Sequence, residues 1–547
     1  MTASSPAIFR IIATARSGAL DHAWQMFRAA GFDGIDDDPA ILNLKGRLLK
    51  DEALLAGGAA RREKARRAGD AYAASAARQP APYPLINAAT LALIAGDRAE
   101  SVSRADEALS LIAQGVPDET PYWLTATEAE ALLLKGDEAG AKAALTRAIA
   151  AAPQAWEDHA STLRQFAAIL RERGGDAGWL DPLRPPRSLH YTGHLALSLP
   201  EAEIVPRIDR ILAAEGIGFG YGALAAGADI IVAERLLARG AELNLILPLD
   251  VAGFVERSVR PHGEQWVRRF DRALDAAAQT IIVDEAKDAG DGGFALLVGL
   301  TDLVATGRAV MNAAALQSEA VQLVIGPVAC PPGQPPSPGQ SARSAGLWRR
   351  AGRRQHIIAS ARTDSPVAPP ADRLHLVAIL AVVPGAQDAP RLAALAGADA
   401  LLAAAAPLLA AAPPAAPPRW SSSRLLLAWR DPAEALRTGL ALRAAAPGPV
   451  RLGLHIGIVT EIGGTGIGST GIGATPGTDT ILAGPAFEFA ERIAELAGPD
   501  TLLASGTFAA AARGVGSEGA RMEFIGELPG SADREDMELY SVMAPGA

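Results

Sequence analysis

Four glycines crowd one stretch of the chain. Gly218, Gly220, Gly222 and Gly227 stand before a helical run that passes through Ala233, Glu234 and Leu237. A glycine-rich strand-to-helix turn presents free backbone N–H groups at a helix N-terminus, which suits a phosphate. Glycines also serve tight packing, and the spacing here is not one that opens the helix at once. A second stretch, GTGIGSTGIG, matches the dinucleotide pattern G-x-G-x-x-G at Gly466, Gly468 and Gly471. It follows the strand-like VRLGLHIGIVTEI, but no helix comes after it. Gly473, Pro476 and Gly477 prolong the loop and TILAG leads into another strand. A phosphate finds no helix N-terminus there, so the stretch is expected to be a hairpin tip. His190 and His194 lie four apart on a predicted strand, about 13 Å from one another, too far to share a metal. They are expected to be structural or pocket-lining, and no metal site is expected. Cys330 is the sole cysteine, which excludes an intrachain disulfide and a cysteine-built zinc site; it is read as a structural thiol.

The elements that must position these residues fall into three territories. Residues 1–182 read as successive helices, with apolar residues at spacings of three and four, as in Ala19, Ala23, Trp24 and Phe27. Ala92-Leu93-Ile94-Ala95-Gly96-Asp97-Arg98-Ala99 is echoed by Leu132-Leu133-Leu134-Lys135-Gly136-Asp137-Glu138-Ala139, and a Pro-Tyr pair precedes each copy (Pro82-Tyr83, Pro121-Tyr122). Gly stops one helix, Asp caps the next, and alanines let helices approach closely. This is the unit of a helical repeat. The basic run Arg61 to Arg67 is read as a solvated helix face. From 186 to 362 strands alternate with helices, as AELNLILPLD and TIIVDEA do around amphipathic segments, which means an open α/β sheet with parallel strands. A linker follows at 363–372. From 373 to 547 LHLVAILAVV, RLLLAWRD, VRLGLHIGIVTEI, TLLAS and MELYSVM read as strands, with AFEFAERIAELAG as a helix. Asp431, before Pro432, reads as a helix N-cap.

The 547 residues suffice for about three or four domains. A hydrophobic fraction of 49% with 20% charged residues is ordinary for a globular chain. The formal net charge of −10 argues against a protein that coats nucleic acid. The N-terminus lacks a basic region followed by a long apolar core, so no signal peptide is expected. ADALLAAAAPLLAAAPP is too short to span a bilayer and is expected to be broken at Pro407. A cytoplasmic location with no membrane contact follows as the expectation.

Three resemblances add to this reading. The helical front resembles tetratricopeptide-type repeats and, more narrowly, the TRAFs-binding-like region of multidomain bacterial signalling proteins, which implies a protein partner. The arrangement Tyr221-Gly222-Ala223-Leu224-Ala225-Ala226-Gly227-Ala228-Asp229, then Glu234, Arg239-Gly240 and Leu247-Pro248, with the opening strand Leu189 to His194, resembles the SLOG-type Rossmann-like domains related to the DprA and LOG proteins. That resemblance implies a nucleotide or nucleotide-derived ligand near Gly193, Gly220, Gly222, Gly227, Asp229 and Glu234. The group's second glycine motif is represented here by Gly339-Gln340-Ser341, so binding is implied and N-glycosidic cleavage is not. The last territory, with Val450 to Gly457, Gly484 to Ile493, Leu496 to Pro499, Gly526 to Pro529 and Glu538 to Val542, resembles the class III adenylate/guanylate cyclase domain, of α+β, ferredoxin-like fold, and implies a dimer. The family's first metal aspartate finds no carboxylate in Ala381-Val382-Val383-Pro384-Gly385, and its hairpin aspartate finds serines in Trp420-Ser421-Ser422-Ser423. Glu488 stands at the family's Asn position and Arg492 keeps its Arg. No catalytic residue is expected within one chain; a partner chain supplying both aspartates is the alternative.

Overall fold

The computed structural model describes residues 6–16, 20–115, 120–195, 197–283, 290–326, 339–360, 373–385, 398–421, 424–462, 481–517, 519–529 and 536–544. Cys330, the linker at 363–372 and the glycine stretch at 464–473 lie outside these residues. The chain divides into two compact units, with the boundary between Pro185 and Pro186.

The first unit is helical: α1 (Pro6–Arg16), α2 (Leu20–Ala29), α3 (Pro39–Leu55), α4 (Gly58–Arg78), α5 (Pro82–Ala95), α6 (Arg98–Gln114), α7 (Pro121–Lys135), α8 (Glu138–Ala151) and α9 (Trp156–Arg173). The Gly-Asp echoes do the two jobs their chemistry suggests. Gly96 and Gly136 end α5 and α7 with φ of 91° and 92°, a region that disfavours side chains. Asp97 then accepts from the Glu100 amide at 3.0 Å, and Asp137 from the Gly140 amide at 2.9 Å. Small residues close the gaps between helices: Ala89, Ala105, Ala129, Ala141 and Ala144 are fully buried. A polar network crosses the first faces of these pairs. Lys50 donates to Asn87 (2.9 Å), while Glu130 accepts from Thr90 (2.7 Å) and Gln165 (3.0 Å).

The second unit carries two sheets. The first is built from β1 (Arg187–Gly193), α10 (Glu201–Glu215), β2 (Ile217–Gly222), α11 (Ala228–Ala238), β3 (Glu242–Leu247), α12 (Val251–Ser258), α13 (Glu264–Asp275), β4 (Gln279–Ile282), α14 (Gly290–Ala315), β5 (Ala320–Gly326), α15 (Gln340–Arg350) and β6 (Gln355–Ala359). All its strand pairs are parallel, in the order β4-β3-β2-β1-β5-β6. The strand pleat sorts the side chains of β1. Leu189 and Tyr191 join the apolar core with α10, α11 and α13. Ser188 and His190 face the opposite way, where Asn312 and Thr306 of α14 meet them.

The second sheet is mixed. It holds β7 (Leu374–Pro384), β8 (Arg419–Ser421), β9 (Arg424–Trp429), β10 (Val450–Ile462), β11 (Ile481–Ala483), β12 (Thr501–Ser505), β13 (Arg521–Leu528) and β14 (Met537–Met543), in the order β13-β14-β12-β10-β7-β9-β8 with β11 beside β10. Helices Ala398–Ala411, Pro432–Ala445, Pro485–Leu496 and Gly506–Gly514 accompany it. Asp431 caps its helix through the Ala433 amide at 2.8 Å. β10 and β11 pair antiparallel, Ile462 opposite Ile481, so the glycine stretch is flanked by the two arms of a hairpin.

One expectation is corrected. Pro407 lies inside a continuous helix, Ala398–Ala411, rather than ending one. A proline removes a single amide from the helical ladder, and Pro407 sits on the exposed side, where that loss leaves no buried orphan. A further helix, α14, has no counterpart in the sequence analysis. It is the one helix among the described residues long and apolar enough to cross a membrane, and half of it is buried against the protein.

The two sheets of this unit meet along α14. A side chain on Gly307 would overlap the Ala510 carbonyl, and one on Gly514 would lie 2.6 Å from the Leu303 carbonyl. Main chain therefore rests on main chain. Beside this contact Arg308 pairs with Glu538 at 2.5 Å.

Candidate functional site

In an open parallel sheet, ligands enter at the carboxyl ends of the strands where the order reverses. Here the order reverses at β1, flanked by β2 and β5. Gly193 ends β1, Gly227 precedes α11, and Asp229 sits in the first turn of α11. The fold brings these three together. A side chain on Gly193 would overlap the Ala228 methyl, and one on Gly227 (φ 89°) would overlap the Leu195 carbonyl. Gly220 lies under Leu236 and Gly222 against the Tyr191 ring, 2.5 Å from where a methyl would stand. Each of these glycines admits a neighbouring part of the protein. Glu234 is directed elsewhere: Arg269 of α13 holds it through two bonds, at 2.9 and 2.5 Å.

Two amides of the α11 first turn are occupied from within. Ala228 donates to His194 O (3.2 Å) and Ile230 to Ala225 O (3.3 Å). The Asp229 carboxylate accepts from the Ala225 amide at 3.3 Å. An anion would take the place this carboxylate fills.

Asp302, on α14, is near enough for its charge to bear on Asp229. His190 Nε2 lies 3.5 Å from Asp302 Oδ1. A chain of donors fixes that imidazole. Gln355 donates to Gln322 Oε1 (2.6 Å), and Gln322 Nε2 donates to His190 Nδ1 (3.0 Å), which leaves the His190 proton on Nε2, toward Asp302. Trp348 stacks on the ring at 5.9 Å. Asp229 and Asp302 are each 8% exposed, yet Asp229 Oδ1 and Asp302 Oδ2 have no hydrogen-bond partner. Burial, with the Asp302 charge adding to it, lifts the Asp229 carboxyl to about 7. Sequence reasoning missed Asp302. Its signal was a Thr-Asp pair inside the apolar run Leu300-Thr301-Asp302-Leu303-Val304, since an aspartate is seldom buried without a reason.

The second candidate lies in the mixed sheet. A cavity of about 570 Å³ is lined by Arg419, Ser421, Gly484, Phe487, Glu488 and Glu491, among others. Arg419 stacks on Phe487 at 4.6 Å, and Glu491 is paired with Arg424 at 3.2 Å. Glu488 and Arg492 are both exposed, one turn apart on the helix Pro485–Leu496. The end of β7 carries Ala381, Val382 and Val383, all buried and apolar. Among the described residues no group of three or more His, Cys, Asp or Glu side chains is placed to hold a metal ion.

The architecture is thus a helical unit followed by a parallel and a mixed sheet. Compared with known families, residues 9–92 match the family model of Tetratricopeptide Repeats-Sensor. No curated protein matches the chain. Among solved structures, the adenylyl cyclase CyaB from P. aeruginosa is similar over 31% of this chain and 95% of its own, at 12% identity and a TM-score of 0.25. The guanylate cyclase domain of RhGC from Catenaria anguillulae, solved with GTP, is similar over 32% of this chain and all of its own, at 13% identity and a TM-score of 0.26. An adenylate/guanylate cyclase/hydrolase from Silicibacter pomeroyi is similar over 31% and 97%, at 16% identity and a TM-score of 0.24.

Proposed function

We propose that the chain is a non-catalytic bacterial signalling protein of the cytoplasm. Its helical repeats (1–182) bind a protein partner, its SLOG-type middle domain (186–362) senses a nucleotide or nucleotide-derived ligand, and its cyclase-like domain (373–547) regulates or dimerises without turnover. The helical repeats and their match to a sensor family support the first role, because stacked helix pairs offer an extended surface for peptides. The parallel sheet, whose strand order reverses at β1, supports the second. The observation that carries the third is the buried apolar end of β7. Two-metal phosphoryl chemistry needs carboxylates to hold the cations, and Ala381, Val382 and Val383 supply none. Glu488, exposed in the cavity, would further repel a triphosphate.

The alternative, a cyclase completed by a partner chain that brings both aspartates, has one observation in its favour: Arg492 is exposed and makes no ion pair among the described residues. Incubation of the purified chain with ATP or GTP and Mn²⁺ tests whether the chain by itself is catalytic. No cyclic product is expected. Product that disappears in Arg492→Ala would overturn the non-catalytic reading.

A further inference from the structure

A cavity of about 710 Å³ opens at the amino ends of β5 and β6, the end of the sheet away from Gly193. Both sheets of the second unit line it. Val310, Ala313 and Ala314 come from α14, Glu319 from the approach to β5, and Arg353 and Arg354 from the turn before β6; Arg513 comes from the helix Gly506–Gly514. The lining thus carries three guanidinium groups and one carboxylate, in a chain whose formal net charge is −10. That carboxylate is already shared: Glu319 meets Arg187 at 3.0 Å and Arg354 at 3.6 Å. Glu215 nearby answers Arg187, Arg354 and His356 together. The carbonyl end of α14 adds about half a negative charge, which three guanidinium groups outweigh. The cationic wall is built, not loose. Arg353 donates to Arg513 O at 3.1 Å and lies over the Trp348 ring at 5.3 Å, and Trp348 in turn donates to Arg354 O at 2.8 Å. Arg513 donates to Ser517 O at 3.1 Å and to Ala520 O at 2.5 Å. The two turns touch, since a side chain on Gly516 would stand 3.8 Å from the Ala351 methyl. Neutral carbonyls fix the planes of these side chains and cancel no charge. A guanidinium has five N–H donors in a fork that matches phosphate oxygens.

We infer that this cavity binds a phosphate-bearing small molecule of nucleotide size, its phosphates held by Arg353, Arg354 and Arg513 and its organic part resting on Val310, Ala313 and Ala314. The volume falls within the roughly 300–1,000 Å³ of small-molecule pockets. The inference does not rest on the SLOG-type reading, which puts a ligand where the strand order reverses; this site is at the other end of the strands. Arg353 and Arg354 belong to the parallel sheet and Arg513 to a helix of the mixed sheet, so a ligand that engages all three ties the two sheets together. A phosphate ester and a free polyphosphate share this chemistry.

The test is thermal shift followed by calorimetric titration of the full chain, with EDTA present. The probes are ATP and GTP, inorganic tripolyphosphate, adenosine and guanosine, and citrate. ATP or GTP is expected to raise the Tm, tripolyphosphate to bind more weakly, and the nucleosides and citrate to leave the Tm unchanged. Tripolyphosphate binding as tightly as either nucleotide keeps the site and names free polyphosphate as its source. Citrate binding as tightly as the phosphates overturns the inference. Arg353→Gln is expected to weaken the bound probe about tenfold or more. Ala314→Glu, which adds a carboxylate to the lining and leaves the arginines in place, gives the same reading should the first variant not fold. Nucleotide affinity unaltered in both variants overturns the inference, yet leaves a nucleotide sensor at the β1 end standing. No response to any probe overturns both.

Discussion

Glu130 and Asp229 are both carboxylates taken out of water, in different units of the molecule, and their surroundings differ in one respect. Around Glu130 the sequence supplies two donors on one oxygen, from Thr90 and Gln165, and the Lys50 ammonium nearby. Around Asp229 it supplies only backbone amides, those of Ala225 at 3.3 Å and Gly193, and a second carboxylate rather than an ammonium. Burial pushes both upward. The first site is answered and therefore holds helices α3, α5, α7 and α9 in register; the second is left half answered. A buried acid says little until its donors are counted.

The comparison gives a different readout for each site on mutation. Glu130→Ala should destabilise the helical unit by about 3–5 kcal/mol, because Thr90 and Gln165 lose their common acceptor and the Lys50 ammonium loses its nearby carboxylate; a loss below about 1 kcal/mol in urea denaturation would break the contrast. Asp229 is read out through pH. Its folded-state pKa of about 7 lies above the unfolded value, so the native state binds the proton more tightly, and stability falls as pH rises from about 4 through 7. The fall should be about 2–4 kcal/mol, and Asp229→Asn should flatten it; an unchanged pH profile in that variant would show that the carboxylate is satisfied after all. Gly227→Ala should cost about 2 kcal/mol from a strained φ and the overlap with Leu195. Its effect should be on Tm, and a selective loss of ligand affinity without a Tm change would return the loop to a binding role. The smallest effect belongs to His455, which bonds Ser505 at 2.9 Å and packs on Phe489. Burial lowers its pKa to about 4. The unfolded chain then binds more protons, so stability should drop by about 1–2 kcal/mol between pH 6.5 and 5, and His455→Gln should remove that slope.

Local chemistry was legible in the sequence. The Gly96-Asp97 and Gly136-Asp137 turns and the Asp431 cap depend on residues within four positions of one another, and the structure has each of them. The β10–β11 pairing was legible for another reason, since strands consecutive in sequence commonly pair. The pairing of Asp229 with Asp302 was not. These residues come from helices on opposite faces of the sheet, and no periodicity links them. The glycines of 218–227 drew attention because glycine suits both a phosphate and a close-packed helix. Sequence cannot tell which of the two stands beside it; here Leu236, Tyr191 and Leu195 do.

The contact of Gly307 with Ala510 has a mechanical consequence. Side chains absorb small displacements by changing rotamer; two backbones in contact have nothing to yield. α14 carries Asp302 on one side and Gly307 on another, just over one turn further along the same rigid rod. A turn of that rod by ten degrees moves its backbone by about 0.4 Å at a radius of about 2.3 Å. At Gly307 such a step is delivered whole to the helix Gly506–Gly514, so α14 serves as a camshaft bearing directly on the mixed sheet.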